Sequence, residues 1–296
     1  MIKRLLLVAL AQLLFCHNAL AATQAYTMPR THVVPITNSV TGGQYELYIK
    51  LPENYYTETD DTDTNKTYPV IYTTDAYWHM DLLSGTTEFI MSEVILVGIS
   101  WQKNMPEAID YGHRRAFASR FRDYSFVAHD KEDIQAKYQF GQADTHLTFI
   151  RNQVMVYVEE NYRASIGENT YLGYSMGAEF GAYILLSHPD TFNHYILGSP
   201  SLEFTSFDYL KALNASTAEK ADDIQANVFV SIGELEESRM DLTQQFSALL
   251  KGRTGKGLSV TGLEVVKDSD HSTAVPETFT RGIKWLKRLS QEQAPE

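Results

Sequence analysis

The sequence predicts an α/β fold: a mostly parallel, doubly wound sheet with antiparallel N-terminal strands. Three observations lead there. Short, nearly continuous apolar runs recur at 69–74, 94–99, 169–172, 195–198, 228–232 and 263–266. Strands that are apolar on both faces are covered on both faces, as in parallel sheets. Segments with helical periodicity alternate with these runs, the pattern of βα units. The first run, 45–51, alternates polar and apolar residues up to Pro52, as an antiparallel strand with one wet face does.

Taken in order, strand 45–51 is followed by strand 69–74, a helix over 81–91 and strand 94–99. A long connection, 101–144, carries Tyr111, Phe117, Phe121, Tyr124 and Phe126. Leu147, Ile150, Val154 and Val158 then keep helical spacing over 145–162, with Asp144 or Thr145 placed to cap the first turn. Strand 169–172, helix 178–188, strand 195–198, strand 228–232, helix 242–251, strand 263–266 and helix 276–289 complete the alternation. Neither an internal repeat nor a long linker interrupts 22–296, which reads as one domain.

The first 21 residues read as a secretory signal. Lys3 and Arg4 form a basic start, 5–15 an apolar stretch too short to span a bilayer, and Ala19-Leu20-Ala21 a small-residue cleavage site. Phe15 is too bulky to precede a lipidated Cys16. Removing 21 of the 296 residues leaves 275, with no cysteine. Disulfides, a thiolate nucleophile and cysteine-based zinc sites are thereby excluded, and a core must carry stability. A periplasmic or secreted location is expected. The net charge is −12, or −14 without Lys3 and Arg4, which argues against nucleic acid and anionic membrane surfaces as partners. Much of the acid clusters at 53–63, as in a solvated loop.

Chemistry concentrates at Gly173-Tyr174-Ser175-Met176-Gly177, a G-x-S-x-G between a strand and a helix. So tight a turn holds the serine in a strained conformation, with small residues two before and two after it where backbones approach. It aims Ser175 Oγ outward and leaves the Met176 amide at a helix N-terminus, suited to an oxyanion. Serine needs a base, and the base an orienting acid. His271, in the loop after the last predicted strand, lies where a doubly wound serine hydrolase delivers its base. The acid is expected after the strand ending at Ile232, where Glu234, Glu236 and Glu237 are all available. Asp268 and Asp270 are too near His271 in sequence for the usual geometry. A second oxyanion donor is expected from the loop after strand 69–74, as the amide of Ala76 or Tyr77.

Several motifs together resemble the Putative esterase family of α/β-hydrolases. They are Tyr68-Pro69-Val70-Ile71-Tyr72, Asp75, Arg120-Phe121-Arg122-Asp123-Tyr124, the serine pentapeptide, His188-Pro189-Asp190-Thr191-Phe192 and Ser199-Pro200-Ser201. That family includes enterochelin esterases, S-formylglutathione hydrolases and feruloyl and acetylxylan esterases. The resemblance runs from about Thr31 to Leu289. The tail from His271 to Pro276, with Gly282 and Trp285-Leu286, is most similar to the exported enterochelin-esterase-like branch. It implies an α/β-hydrolase fold, and its acid three residues after a strand-ending glycine corresponds to Glu236 after Gly233. Two departures imply a differently shaped pocket: Asp75-Ala76 where the family often has Asp-Gly, and Ala178-Glu179 where a second glycine often follows the elbow.

These readings predict a serine carboxylesterase acting on a small-molecule ester through Ser175, His271 and Glu236, with no metal or cofactor. The connection 101–144 is expected to cover the site beside Tyr77 and Trp78, with Trp78, Trp101, Arg120 and Tyr124 touching substrate. Arg120 or Arg122 would meet an acidic group, or else pair with Asp123. The alternatives are acyl transfer on the same fold and a ligand-binding pseudoenzyme.

Overall fold

The computed structural model describes residues 25–56, 66–219, 224–253 and 257–292. The expected signal segment, 1–21, and most of the acidic cluster fall outside them.

Eight strands form one sheet. They are β1 (Thr31–Thr37), β2 (Gln44–Lys50), β3 (Tyr68–Thr73), β4 (Ile95–Ile99), β5 (Ala164–Tyr174), β6 (His194–Gly198), β7 (Ala226–Gly233) and β8 (Leu258–Val266). Their spatial order is β1-β2-β4-β3-β5-β6-β7-β8. Only the β1–β2 and β2–β4 pairs are antiparallel; the others run parallel. The helices are α1 (Ala76–Ile90), α2 (Ser119–Asp123), α3 (Glu132–Tyr138), α4 (Ala143–Phe149), α5 (Val156–Asn161), α6 (Met176–Ser187), α7 (Phe204–Glu219), α8 (Glu237–Lys251) and α9 (Ala274–Glu292).

The continuous apolar runs are explained by two cores that split each strand by its pleat. Val70, Tyr72, Val97, Tyr171, Tyr195, Leu197, Val228 and Val230 face one core, where Leu147, Val154, Phe180, Ile184, Phe246 and Leu250 cover them from α4, α6, α8 and the turns between α4 and α5. The intervening Ile71, Leu96, Leu172, Ile196 and Phe229 face the other, under Met80 and Leu83 of α1 and Phe279, Ile283 and Leu286 of α9. Each such Leu or Phe contributes about 1.5–3 kcal/mol on burial.

Three helices differ from expectation, among them that predicted over 242–251, which begins at Glu237 as α8. Helix α1 begins at Ala76, five residues before the predicted 81, because Asp75 takes a left-handed conformation (φ 54°, ψ 38°) and turns the chain directly from β3 into the helix. The helix predicted over 145–162 runs from Ala143 to Asn161 but widens to π turns over Ile150–Met155. Strand β1 and helix α7, unpredicted, complete the edge and one face.

The site is positioned by a reversal of strand order. From β3 the chain passes through α1 to β4 on one side; from β5 it passes through α6 to β6 on the other. Adjacent parallel strands whose helices leave to opposite faces open a crevice at their carboxyl ends. The N-termini of α1 and α6 flank that crevice.

Candidate active site

Ser175 occupies the turn between β5 and α6 at φ 58°, ψ −122°, a conformation costing about 1–3 kcal/mol for a residue with a Cβ. Close packing requires the flanking glycines: a Cβ on Gly173 would collide with the Gly177 carbonyl oxygen, and one on Gly177 would lie 2.6 Å from Thr74 Oγ1. The elbow is also tied to its neighbours: Ser175 N–H donates to the Gly198 carbonyl (2.9 Å), and Tyr171 OH donates to the Gly177 carbonyl (2.8 Å).

Three sequence-predicted residues meet here. His271 Nε2 lies 2.9 Å from Ser175 Oγ, and His271 Nδ1 lies 2.6 Å from Glu236 Oε2. Since a carboxylate can only accept, Nδ1 carries the proton and Nε2 is the acceptor facing the serine. Asp270 shapes the loop, its Oδ1 accepting the amides of Ser272 and Thr273, each at 2.9 Å. Tyr174 OH donates to the His271 carbonyl (2.8 Å) and so fixes the loop to the strand before the elbow.

Glu236 is 6 % exposed. Burial alone would raise its carboxyl pKa, but His271, the Ser199 hydroxyl (2.6 Å) and the Gly233 amide (2.9 Å) outweigh that and hold it at about 2. The other two candidate acids point elsewhere. Glu234 pairs with Lys267 and accepts the Asp268 amide at 3.0 Å, bracing the His271 loop from outside, and Glu237 is exposed at the start of α8. Asp268 is exposed too.

Ala76 and Met176 open α1 and α6, so their amides belong to the first turns, which lack intrahelical acceptors. Tyr77, next along, is 74 % exposed. The loop bearing Ala76 is held by Asp75, which is buried beneath it. Arg120 grips this carboxylate with Nε (3.1 Å) and Nη2 (2.9 Å), and Trp101 Nε1 donates to it at 2.6 Å. Desolvation would raise the Asp75 pKa, but the Arg120 charge more than offsets it and the carboxyl lies below its usual range. The Asp75 amide donates to Tyr124 OH (3.3 Å), and His79 Nδ1 donates to the Thr74 carbonyl (2.9 Å).

The residues expected to touch substrate have partners within the protein. Arg120 and Trp101 donate to the Asp75 carboxylate, while the Tyr124 hydroxyl accepts from the Asp75 amide. Arg122, not Arg120, pairs with Asp123 (2.7 Å). Trp78 is half-exposed and lies over the Arg120 guanidinium, 5.2 Å from its ring centre. None of these residues lines the cavity beside the elbow. That cavity has a volume of about 470 Å³; Phe121, Phe126, Tyr138 and Phe140 of the 101–144 connection form one wall, and Met176 and Ser201 another. Of the rings named from the sequence in this connection, Phe121 and Phe126 line the cavity, joined there by Tyr138 and Phe140.

Sequence reasoning missed three polar groups. Glu179, one turn into α6, faces the cavity; burial, opposed in part by the Ser206 hydroxyl and reinforced by Glu203, pushes its carboxyl up to about 8. Ser199 adopts φ 42° and hydrogen-bonds Glu236, while Ser201 Oγ lies 2.8 Å from Ser175 Oγ. Among the described residues, no group of three or more His, Cys, Asp or Glu is arranged to hold a metal. Nor is any described helix long and apolar enough to cross a membrane.

A doubly wound sheet with a strained serine at its switch point, facing a histidine, defines the α/β-hydrolase fold. Solved structures agree. The BES protein from Bacillus cereus superposes with a TM-score of 0.75 at 19 % identity, over 91 % of this chain and 99 % of that one. An IroE-like serine hydrolase from Shewanella oneidensis gives 0.72 at 22 %, over 90 % and 82 %. The ferri-bacillibactin esterase BesA of Bacillus subtilis is 26 % identical over 284 residues, 89 % of this chain and 91 % of its own. The chain belongs to the Putative esterase family, which it matches over residues 38–254, and it is a hydrolase of ester bonds.

Proposed function

We propose that the protein is an exported serine carboxylesterase working through Ser175, His271 and Glu236. The observation that carries the reading is the unbroken line of hydrogen bonds from Ser175 Oγ through His271 to the buried Glu236 carboxylate, 2.9 and 2.6 Å long. Ser175 Oγ attacks the ester carbonyl while His271 Nε2 takes its proton. Glu236 keeps the imidazole in the required tautomer and stabilises the imidazolium. The Met176 amide and that of Ala76 or Tyr77 receive the oxyanion between two helix N-termini. His271 then protonates the departing alcohol and activates the water that releases the acid. The substrate is a siderophore-like or aryl ester: a relative bears the name of a ferri-bacillibactin esterase, and the cavity beside Ser175 has an aromatic wall. Export is supported by the basic, apolar and Ala19-Leu20-Ala21 run at the N-terminus.

The test is hydrolysis of short-chain p-nitrophenyl esters, with a fluorophosphonate label located by mass spectrometry. Label on Ser175, and a fall in kcat of about 10⁴-fold or more in Ser175→Ala, are expected. A Ser175→Ala protein that keeps its turnover would refute the reading. Release of alcohol without equal free acid when a sugar acceptor is added would point to acyl transfer.

A further inference from the structure

Among the described residues, the Ser175 hydroxyl has two neighbours within hydrogen-bonding distance, and one of them is the histidine. Ser201 Oγ lies 2.8 Å away, on the loop after β6. Proton accounting decides the direction of this second bond. His271 Nδ1 donates to Glu236, so Nε2 accepts, and the single hydroxyl proton of Ser175 points at Nε2 across 2.9 Å. Ser175 therefore has no proton to give Ser201, and the Ser201 hydroxyl is the donor.

We propose that Ser201 is a further catalytic residue, whose hydroxyl donates to Ser175 Oγ and leaves one lone pair free to attack the ester carbonyl. An sp³ oxygen has four directions. At Ser175 one holds Cβ, one the proton aimed at His271, and one receives the Ser201 proton; the fourth is left for the substrate. The same donor meets negative charge on Oγ both as the attack develops and as Oγ leaves the acyl-enzyme. Ser201 keeps its own proton throughout, and His271 remains the group that accepts and returns one.

The loop is built to hold this hydroxyl in place. Ser201 N–H donates to the Ser175 carbonyl at 3.2 Å, joining the two residues through their backbones as well as their hydroxyls. Two residues earlier, Ser199 sits at φ 42°, a left-handed conformation unfavourable for a side-chain-bearing residue. Its amide donates to the Ser231 carbonyl (2.8 Å) and its hydroxyl to Glu236 (2.6 Å). Pro200 stiffens the step between them. One short segment thus touches the acid with its first serine and the nucleophile with its second.

The inference rests on Ser175 being the nucleophile, so Ser175→Ala is measured alongside. In Ser201→Ala, kcat for a short p-nitrophenyl ester should fall about ten- to a hundredfold, with KM within about twofold and the melting temperature retained. Fluorophosphonate labelling of Ser175 should slow in proportion. Ser201→Thr, which restores a hydroxyl, should recover most of kcat, and Ser201→Cys, a weak donor of similar size, should fall between. Unchanged kcat in Ser201→Ala, a change in KM alone, or a threonine variant no better than alanine would overturn the proposal. If Ser201→Ala fails to fold, the cysteine variant decides by the same kcat and KM comparison. Should Ser175→Ala stay active, the broader reading fails instead.

Discussion

Replacing Glu179 with glutamine should remove a pH dependence of stability that the wild-type carboxyl imposes. In the unfolded chain the carboxyl loses its proton near 4.5, whereas in the folded protein burial raises that to about 8. Between these values the unfolded chain has released a proton that the folded protein keeps. Stability therefore falls as pH rises through the window, is flat below about 4.5 and flattens again above about 8. At about 1.36 kcal/mol per tenfold change in proton affinity, the full span corresponds to roughly 5 kcal/mol. Glu179 also borders the open cavity, where water screens it, so about half of this, 2–3 kcal/mol, is the expected effect. Glutamine keeps the shape and cannot ionise. Urea unfolding of both proteins at pH 5, 6, 7 and 8 should show the variant gaining on the wild type by that amount across the series, with unchanged m-values. A difference that stays constant within about 0.5 kcal/mol from pH 5 to pH 8 would refute the reasoning, since the carboxyl would then ionise alike in both states.

Two further outcomes follow from the buried charges. Arg120→Met should lower stability by about 3–5 kcal/mol, read as a shift in the urea midpoint, because the Asp75 carboxylate stays buried with the Trp101 indole as its remaining side-chain donor. Glu236→Gln should reduce kcat about 10³- to 10⁴-fold with little change in KM, as the amide favours the imidazole tautomer that cannot accept from Ser175; steady-state kinetics on a p-nitrophenyl ester checks it.

The legible parts of this molecule were those written in local pattern. Strands 69–74 and 94–99 betrayed their doubly covered position through unbroken apolarity, and the serine pentapeptide announced its turn by its glycines. The carboxylate that would face His271 was narrowed to three neighbours, of which family spacing favoured Glu236, the one found against the histidine. The illegible parts depend on partners distant in sequence. Arg120 and Trp101 read as ligand contacts because nothing near them reveals that Asp75, some 45 residues before the arginine, lies buried within reach. Strand β1 carries Pro35 and is largely exposed, so its apolar pattern is faint. A hydroxyl against a hydroxyl, as at Ser201, has no spacing rule at all. The early start of α1 turned on one left-handed residue, Asp75, whose carboxylate is fixed by groups from another part of the chain.

Strand β8, the source of the His271 loop, pairs on one side only and comes last among the strands. The family match ends at residue 254, before it begins. A ribosome builds this protein in an order that matters chemically. The elbow, the aromatic cover, both helix N-termini and Glu236 all emerge ahead of the proposed base. Under the proposed triad, a nascent chain that has not reached His271 would present the serine without its base, so activity would await the last strand and its loop.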